Sequence, residues 1–346
     1  VNRTAIVILN WNGLGFLKKF LEPVVKYSLS PFTSVWLADN GSDDGSLEWV
    51  EASFPEVKII RFDKNHGYAG GYNLALGNIE AEYYVLLNSD IEVTPGWLSP
   101  LVEFMNNNPD VAALQPKILS WQNRKYFEYA GATGGYIDKF GFTFCRGRIF
   151  DNIEKDEGGY DYPVEVFWTS GACMMIRATA WRECNGFDTD FYAHMEEIDL
   201  CWRLHNKGWR LFAVPQSVVY HVGGGTLPYN SPFKTYLNFR NNLYLLYKNL
   251  PEEKFRITLF SRKIMDAMAA FFFLLKGKPQ NIAAIIKAHR DYYKNISSLK
   301  QKRKFNISDT GNNRKINTIL NRSLVFEFYL KGNKTFDKIK KYFNQK

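Results

Sequence analysis

The densest collection of reactive side chains lies in GFDTDFYAHMEEIDLCWRLHNKGWR, Gly186–Arg210. Its acids Glu196, Glu197 and Asp199 cluster at an expected helix start, where negative charge complements the helix dipole. Asp199 and Arg203 stand four apart with the acid first, the favourable order for a helix-surface pair. That leaves Glu196 and Glu197, either of which could serve as a general base. Crowded carboxylates raise one another's proton affinity, which suits a base working near neutral pH. A second cluster is LLNSDIEV (Leu86–Val93), in which an apolar run delivers Asn88, Ser89, Asp90 and Glu92 in quick succession. Such oxygens suit a hard cation, Mg²⁺ or Mn²⁺, and a cation of this kind can neutralise a departing diphosphate. The same residue types also favour a plain turn. VVYHVGGGT (Val218–Thr226) places His221 between an apolar run and three glycines, a position that fits either a structural histidine or a metal or phosphate ligand.

Two further segments bear on nucleotide binding. In ADNGSDDGS (Ala38–Ser46), Asp39 can accept hydrogen bonds from a ribose or a base edge, while Ser42 and Asp43 are placed to cap a helix. In KNHGYAGGYN (Lys64–Asn73), glycines at a helix start permit close backbone approach, and helix N-termini favour anions. A dinucleotide-binding unit would also place an acid after the second strand. Here, however, the run after the first strand reads Gly13, Leu14, Gly15, Phe16, Leu17, Lys18, with lysine where the third glycine of GxGxxG belongs.

These segments need a scaffold, and the first 115 residues supply a recognisable one. Apolar runs at Ala5–Leu9, Ser34–Ala38, Val57–Phe62, Tyr83–Leu87 and Val111–Leu114 predict strands. Helical spacing fills Phe16–Tyr27, Ser46–Phe54, Gly70–Ile79 and Leu98–Asn107. This alternation predicts a doubly wound, Rossmann-like α/β fold, with ligands beyond the carboxyl ends of the strands. Residues 116–170, rich in glycine and aromatics, predict irregular and antiparallel structure, with turns at Gly131–Gly135 and Gly158–Gly159. Helices are expected again at Arg177–Cys184, Met195–Lys207 and Phe233–Asn249. From Pro251 onward the chain reads as helical and basic, broken at Gly277–Pro279 and Asp309–Asn313.

Composition narrows the classes. Of 346 residues, 46% are hydrophobic and 16% aromatic, which excludes a disordered chain. The four cysteines have no metal-site or disulfide-framework spacing. The net charge of +9 is uneven: residues 251–346 hold 22 Lys and Arg against 7 Asp and Glu, so the remainder is mildly acidic. Val1–Arg3 lead straight into the first apolar run without a signal-peptide pattern. The longest apolar run, Ala267–Leu275, is about half the roughly 20 residues of a spanning helix. A cytoplasmic protein, peripheral on the inner face of the plasma membrane, is the expectation.

Taken in order, VILNWNG, ADNGSDDGS, NHGYAGGYN, LLNSDIEV, TSGACMMIRA, FYAHMEEIDLCWR and YHVGGGT resemble the family 2 inverting glycosyltransferases of GT-A fold. They look most like the bacterial rhamnosyltransferases of cell-surface polysaccharide synthesis. The resemblance implies a GT-A domain over residues 1–250, with a nucleotide-binding half to about 115 and an acceptor half from 116, followed by a basic helical extension over 251–346. It implies that Asn10, Trp11, Asp39, Asn65, Gly67 and Ser89 line the nucleotide pocket, and that Asp90 and His221 hold Mn²⁺ or Mg²⁺. Asn88 stands where the family's DxD motif has its first aspartate. The catalytic base falls at Glu197, with Glu196 the alternative. Trp168, Gly171, Asp199 and Arg240 fall on the sugar and acceptor side. A nucleotide-diphosphate sugar, dTDP-rhamnose first and UDP-sugars next, is the implied donor, and a lipid-linked glycan the implied acceptor. A non-catalytic GT-A domain binding a nucleotide or glycan is the rival reading.

The amphipathic basic stretches Lys254–Leu275 and Ile282–Ile296 fit an anionic membrane surface. A homo-oligomer or protein partner is the alternative. No nucleic-acid motif accompanies the charge.

Overall fold

The computed structural model describes residues 3–128, 131–223, 231–308 and 316–343. Its elements run β1 (Thr4–Asn10), α1 (Leu14–Ser28), β2 (Thr33–Asp39), α2 (Ser46–Ser53), β3 (Lys58–Arg61), α3 (Gly67–Gly77), β4 (Tyr83–Asn88), β5 (Ile91–Val93), α4 (Leu98–Asn107) and β6 (Val111–Ser120). There follow β7 (Gly135–Asp138), β8 (Thr143–Cys145), β9 (Arg148–Ile149), β10 (Asn152–Ile153), β11 (Val164–Glu165), β12 (Cys173–Arg177), α5 (Ala178–Glu183), α6 (Glu196–Asn206), β13 (Arg210–His221) and α7 (Pro232–Asn249). The chain ends in α8 (Glu252–Leu275), α9 (Pro279–Lys294), α10 (Ile296–Ser308), β14 (Ile319–Leu320), α11 (Leu324–Tyr329) and α12 (Phe336–Ile339).

The main sheet has the order β11-β13-β6-β12-β4-β1-β2-β3, with β5 paired to β13. Strands β4, β1, β2 and β3 are mutually parallel, as the continuous apolar runs require for strands covered on both faces. In β1, Ala5 and Val7 enter a core shared with Tyr72 and Leu76 of α3. Ile6 and Ile8 enter the opposite core, with Leu17 and Leu21 of α1 and Leu101 of α4. This is the two-residue alternation of a strand, with both faces apolar. The parallel order stops at β4. Strand β12 lies antiparallel between β4 and β6, so the fifth expected strand is displaced one place along the sheet. The result is a mixed α/β sheet of GT-A type with a C-terminal helical region.

A smaller sheet has the order β10-β9-β8-β7-β14. Its last member comes from the far end of the chain, with Ile319 opposite Ile137. Asp138 fixes the joint by accepting the Leu324 backbone N–H at 2.8 Å. Helix α10 likewise ties the two expected parts together, because Asn306 donates to Asn249 of α7 and Lys302 reaches Asp188. Packing is thus continuous across residue 250. All four cysteines are buried and free.

The expected break at Asp309–Asn313 and the glycines Gly224 and Gly225 with Thr226 lie outside the described residues. Among the described residues, no helix is long and apolar enough to cross a membrane.

Candidate active site

The loops after β1, β2 and β4 meet at one end of the sheet. Asn10 is buried at the end of β1 and donates from Nδ2 to Asp39, Ser42 and Ser46 at 2.8–3.1 Å. Asp39 accepts from Asn10 with one oxygen and from the Ser42 backbone N–H with the other. Both side chains therefore brace the first two loops from beneath, and Asn10 Oδ1 remains buried without a partner. Trp11 stands above them, 54% exposed. The expected cap by Ser42 and Asp43 takes another form. Helix α2 starts from Gly45 at φ 78° with no side-chain cap, and Asp44 accepts from Ser46 N and Leu14 N instead. The third loop is bound to the second: Asn40 donates to Asn65 Oδ1 and Gly67 O, and Asn65 Oδ1 also accepts from Gly67 N at 2.7 Å. Ser89 is half-buried beyond β4.

Asp90 and His221, 131 residues apart, meet because β5 pairs antiparallel with the end of β13, placing His221 opposite Ile91. His221 Nε2 lies 3.1 Å from Asp90 Oδ1, and Gly223 N donates to Asp90 Oδ2. On the other ring nitrogen, Nδ1 lies 3.3 Å from Glu128. Burial disfavours charge on His221, but its hydrogen bonds to Asp90 and Glu128 outweigh this and hold the imidazole up to about 10. Burial likewise works against the Asp90 carboxylate, yet His221 keeps its pKa below the ordinary value. An oxygen and an imidazole nitrogen this close suit Mn²⁺ or Mg²⁺, with Glu128 orienting the ring from behind. Among the described residues, no three His, Cys, Asp or Glu converge as a metal cage. Asp90 and His221 are the two candidate ligands that the described residues bring together here. Glu128 carried no signal in the sequence, since its aromatic, glycine-rich surroundings have no periodicity.

Glu196 and Glu197 open α6. Each has one carboxylate oxygen sealed from solvent and without a hydrogen-bond partner. Burial, and then the charge of Glu197, raises Glu196 well above the ordinary carboxylate range. Burial pushes Glu197 up to about 7, against partial relief from backbone N–H groups. Burial, then Tyr72 and the two carboxylates, hold the Tyr68 hydroxyl well above its ordinary pKa, and it donates to Gly171 O at 2.7 Å. A Cβ at Gly171 would stand 2.7 Å from that hydroxyl, so a residue without a side chain is required.

The loop ahead of the glutamates is held under strain. Tyr192, His194 and Met195 have φ of 64°, 67° and 73°, a region costly for side-chain-bearing residues. Asn241 of α7 donates to Phe191 O, Ala193 O and His194 O at 2.8–3.0 Å. Arg240, expected on the acceptor side, donates to Asp190 O and Phe191 O and so braces the same loop.

Two other expectations need correction. Trp168 is 4% exposed, with its indole N–H on Tyr136 O and its ring against Gly135, so the core takes the face that a sugar would need. Asp199 is fully buried, and its pair with Arg203 is internal rather than on the helix surface. Lys248 at 2.8 Å and Asn249 at 2.9 Å complete its shell. A helical wheel of α6 alone cannot reveal that α7 covers that face.

A mixed sheet of this order carries a strand-end aspartate facing a histidine and an acid pair at a helix start, the parts that a nucleotide-sugar glycosyltransferase of GT-A type would require. Residues 5–179 match the glycosyl transferase family 2 model, and the chain belongs to that family. Over 230 residues it is 25% identical to the N-acetylglucosaminyl-diphospho-decaprenol L-rhamnosyltransferase of Mycobacterium tuberculosis, covering 62% of this chain and 75% of that one. Over 242 residues it is 21% identical to the low-salt glycan biosynthesis hexosyltransferase Agl10 of Haloferax volcanii, covering 68% and 73%. Among solved structures, S. aureus TarS 1–349 in complex with UDP-GlcNAc superposes with a TM-score of 0.55 at 16% identity, covering 89% of each chain. GalNAc-T7 with UDP, GalNAc and Mn²⁺ superposes with a TM-score of 0.59 at 15% identity, covering 86% of this chain and 58% of that one. At such identities the superpositions establish the shared fold.

Proposed function

We propose that this protein transfers a sugar from a nucleoside-diphosphate donor to an acceptor hydroxyl with inversion at the anomeric carbon, and that Glu197 is the base. The observation that carries this reading is the Glu197 carboxyl, pushed up to about 7 by burial and with one oxygen unpartnered. A base with that affinity is substantially ionised at neutral pH and still strong enough to take a hydroxyl proton. Glu196, more deeply buried, is raised well above the ordinary carboxylate range by burial and by the charge of Glu197, which favours its protonated form and limits the charge in the pocket.

The acceptor oxygen, as its proton passes to Glu197, attacks the anomeric carbon from the face opposite the diphosphate. One displacement gives the inverted product. Asn10, Asp39 and Asn65 hold the loops on which the nucleotide rests, with Trp11, Gly67 and Ser89 presented toward it. Asp90 and His221 would hold Mn²⁺ or Mg²⁺, which when bound supplies positive charge to the leaving diphosphate. Asn241, Arg240 and Asp199 position the base through α6 and its preceding loop.

The M. tuberculosis relative, named for an L-rhamnosyl group and a diphospho-decaprenol-linked sugar, supports dTDP-rhamnose as donor and a lipid-linked glycan as acceptor. UDP-sugars come next. The test is a donor panel of dTDP-rhamnose and common UDP-sugars with Mn²⁺, Mg²⁺ or EDTA, reading nucleotide release and the anomeric configuration of the product. One donor is expected to turn over with inversion, and Asp90→Ala to remove the response to metal. Retention of configuration, or no binding of any donor, would overturn the proposal.

A further inference from the structure

Helix α8 is packed on one side only. Thr258, Leu259, Arg262 and Asp266 are buried. On the other side Ile257, Phe260, Ile264, Met268, Phe271 and Leu275 are 47–73% exposed. Steps of three and four residues align them in one stripe, roughly 27 Å long at the helical rise. A continuous apolar surface of this kind marks an interaction site.

The stripe changes character at its end. Phe271, Phe272, Leu274 and Leu275 are each 54–71% exposed. At about 100° per residue they are spread over nearly half of the helix circumference. The exposed Lys276, Gly277 and Lys278 then turn the chain into α9. Helix α9 returns alongside α8, with His289 on Asp266 and Tyr293 accepting from Lys263. Its own exposed face carries Ile286, Lys287, Arg290, Tyr293 and Lys294.

Charge identifies the occupant. Between Lys254 and Lys294 the sequence has nine Lys and Arg, and its acids are Asp266 and Asp291. Both acids are engaged within the protein, Asp266 by Arg262 and His289, Asp291 by Tyr236 and Arg290. The outer face is thus apolar and cationic. A helix from a second copy would cover a stripe about 100° wide and leave the rest of the tip in water. An apolar layer edged with negative charge covers both features.

We propose that the α8–α9 hairpin docks on an anionic lipid surface, with Phe271–Leu275 set among the headgroups and Lys276 and Lys278 beside the phosphates. The mode is interfacial, because no described helix can span a bilayer. This inference does not depend on the identity of the donor or of the base.

The test is co-sedimentation of the full chain with vesicles of phosphatidylcholine alone, or of equal parts phosphatidylcholine and phosphatidylglycerol, at low and high salt. Binding is expected with phosphatidylglycerol, falling as salt rises. Phe271→Ser/Phe272→Ser/Leu275→Ser should reduce it to background. Lys276→Gln/Lys278→Gln should weaken it roughly 25-fold, at about fivefold per basic residue near the surface. Circular dichroism and donor hydrolysis should be unchanged in both variants, since the altered side chains are exposed and distant in sequence from the site. No binding by the wild type, or equal binding by both variants, would overturn the proposal. So would a dimer by light scattering that the apolar variant converts to monomer, which would assign the face to a second copy.

Discussion

Replacing Asn241 with leucine should separate the placement of the base from the stability of the fold. The Asn241 amide is buried and donates to the loop carbonyls of Phe191, Ala193 and His194 at 2.8–3.0 Å. Its Nδ2 carries two protons shared among the three oxygens, so at about 1 kcal/mol net per hydrogen bond its loss costs on the order of 2 kcal/mol. The three left-handed residues it restrains, Tyr192, His194 and Met195, store strain of comparable size, about 1–3 kcal/mol each. Once the clamp is gone the loop relaxes, and the start of α6 moves with it. A displacement of about 1 Å at a reacting group costs on the order of a hundredfold in rate. Because released strain offsets part of the lost bonds, Asn241→Leu should lose at most about 2 kcal/mol in urea unfolding but about a hundredfold in kcat, with little change in the donor KM. Reduced stability with an unaltered kcat would refute the reasoning, because the strained loop would then have no part in holding Glu197.

The remaining predictions concern titration and buried charge. Because Glu197 must be ionised to act, kcat/KM should rise with pH through about 7 and level off above it, a limb that a stopped assay over a buffer series would resolve. A profile flat through that range would contradict this assignment. Glu196 is raised above its ordinary value of 4.5, so its contribution to stability is full below that pH and is lost as pH rises through its folded pKa. Glu196→Gln should then unfold like the wild type at about pH 4 but be more stable than it at pH 8; equal stability at the higher pH would count against the shift. Lys248 lies between Asp188 and Asp199, and Lys248→Met leaves two buried carboxylates facing each other. Urea unfolding should show a loss of about 3–5 kcal/mol, and a loss below about 1 would mean that the network is not cooperative.

Much of the nucleotide half was legible because its strands are continuous apolar runs that end abruptly in polar residues. That pattern placed Asn10, Asp39 and Asp90 at one sheet end without reference to neighbours. Long-range pairing left no such mark. Nothing in CMMIR announces an antiparallel strand wedged between β4 and β6, and nothing local links Ile319 with Ile137. The Asp90–His221 contact depends on the three-residue strand β5, too short for a periodic signal. Glu128 faces His221 for the same non-local reason. For Asp199, Arg240 and Trp168 the deciding surroundings lie elsewhere in the chain, where α7, the 190–195 loop and Gly135 set what each side chain touches.

Removal of the acceptor proton by Glu197 is tested most directly by donor affinity and saturated transfer rate in Glu197→Gln beside Glu196→Gln. Glu197→Gln should bind donor as the wild type does and lose about a thousandfold in kcat. Glu196→Gln should retain most of its rate. A Glu197→Gln enzyme that still turns over, beside an inactive Glu196→Gln, would contradict that assignment and move the base one residue back.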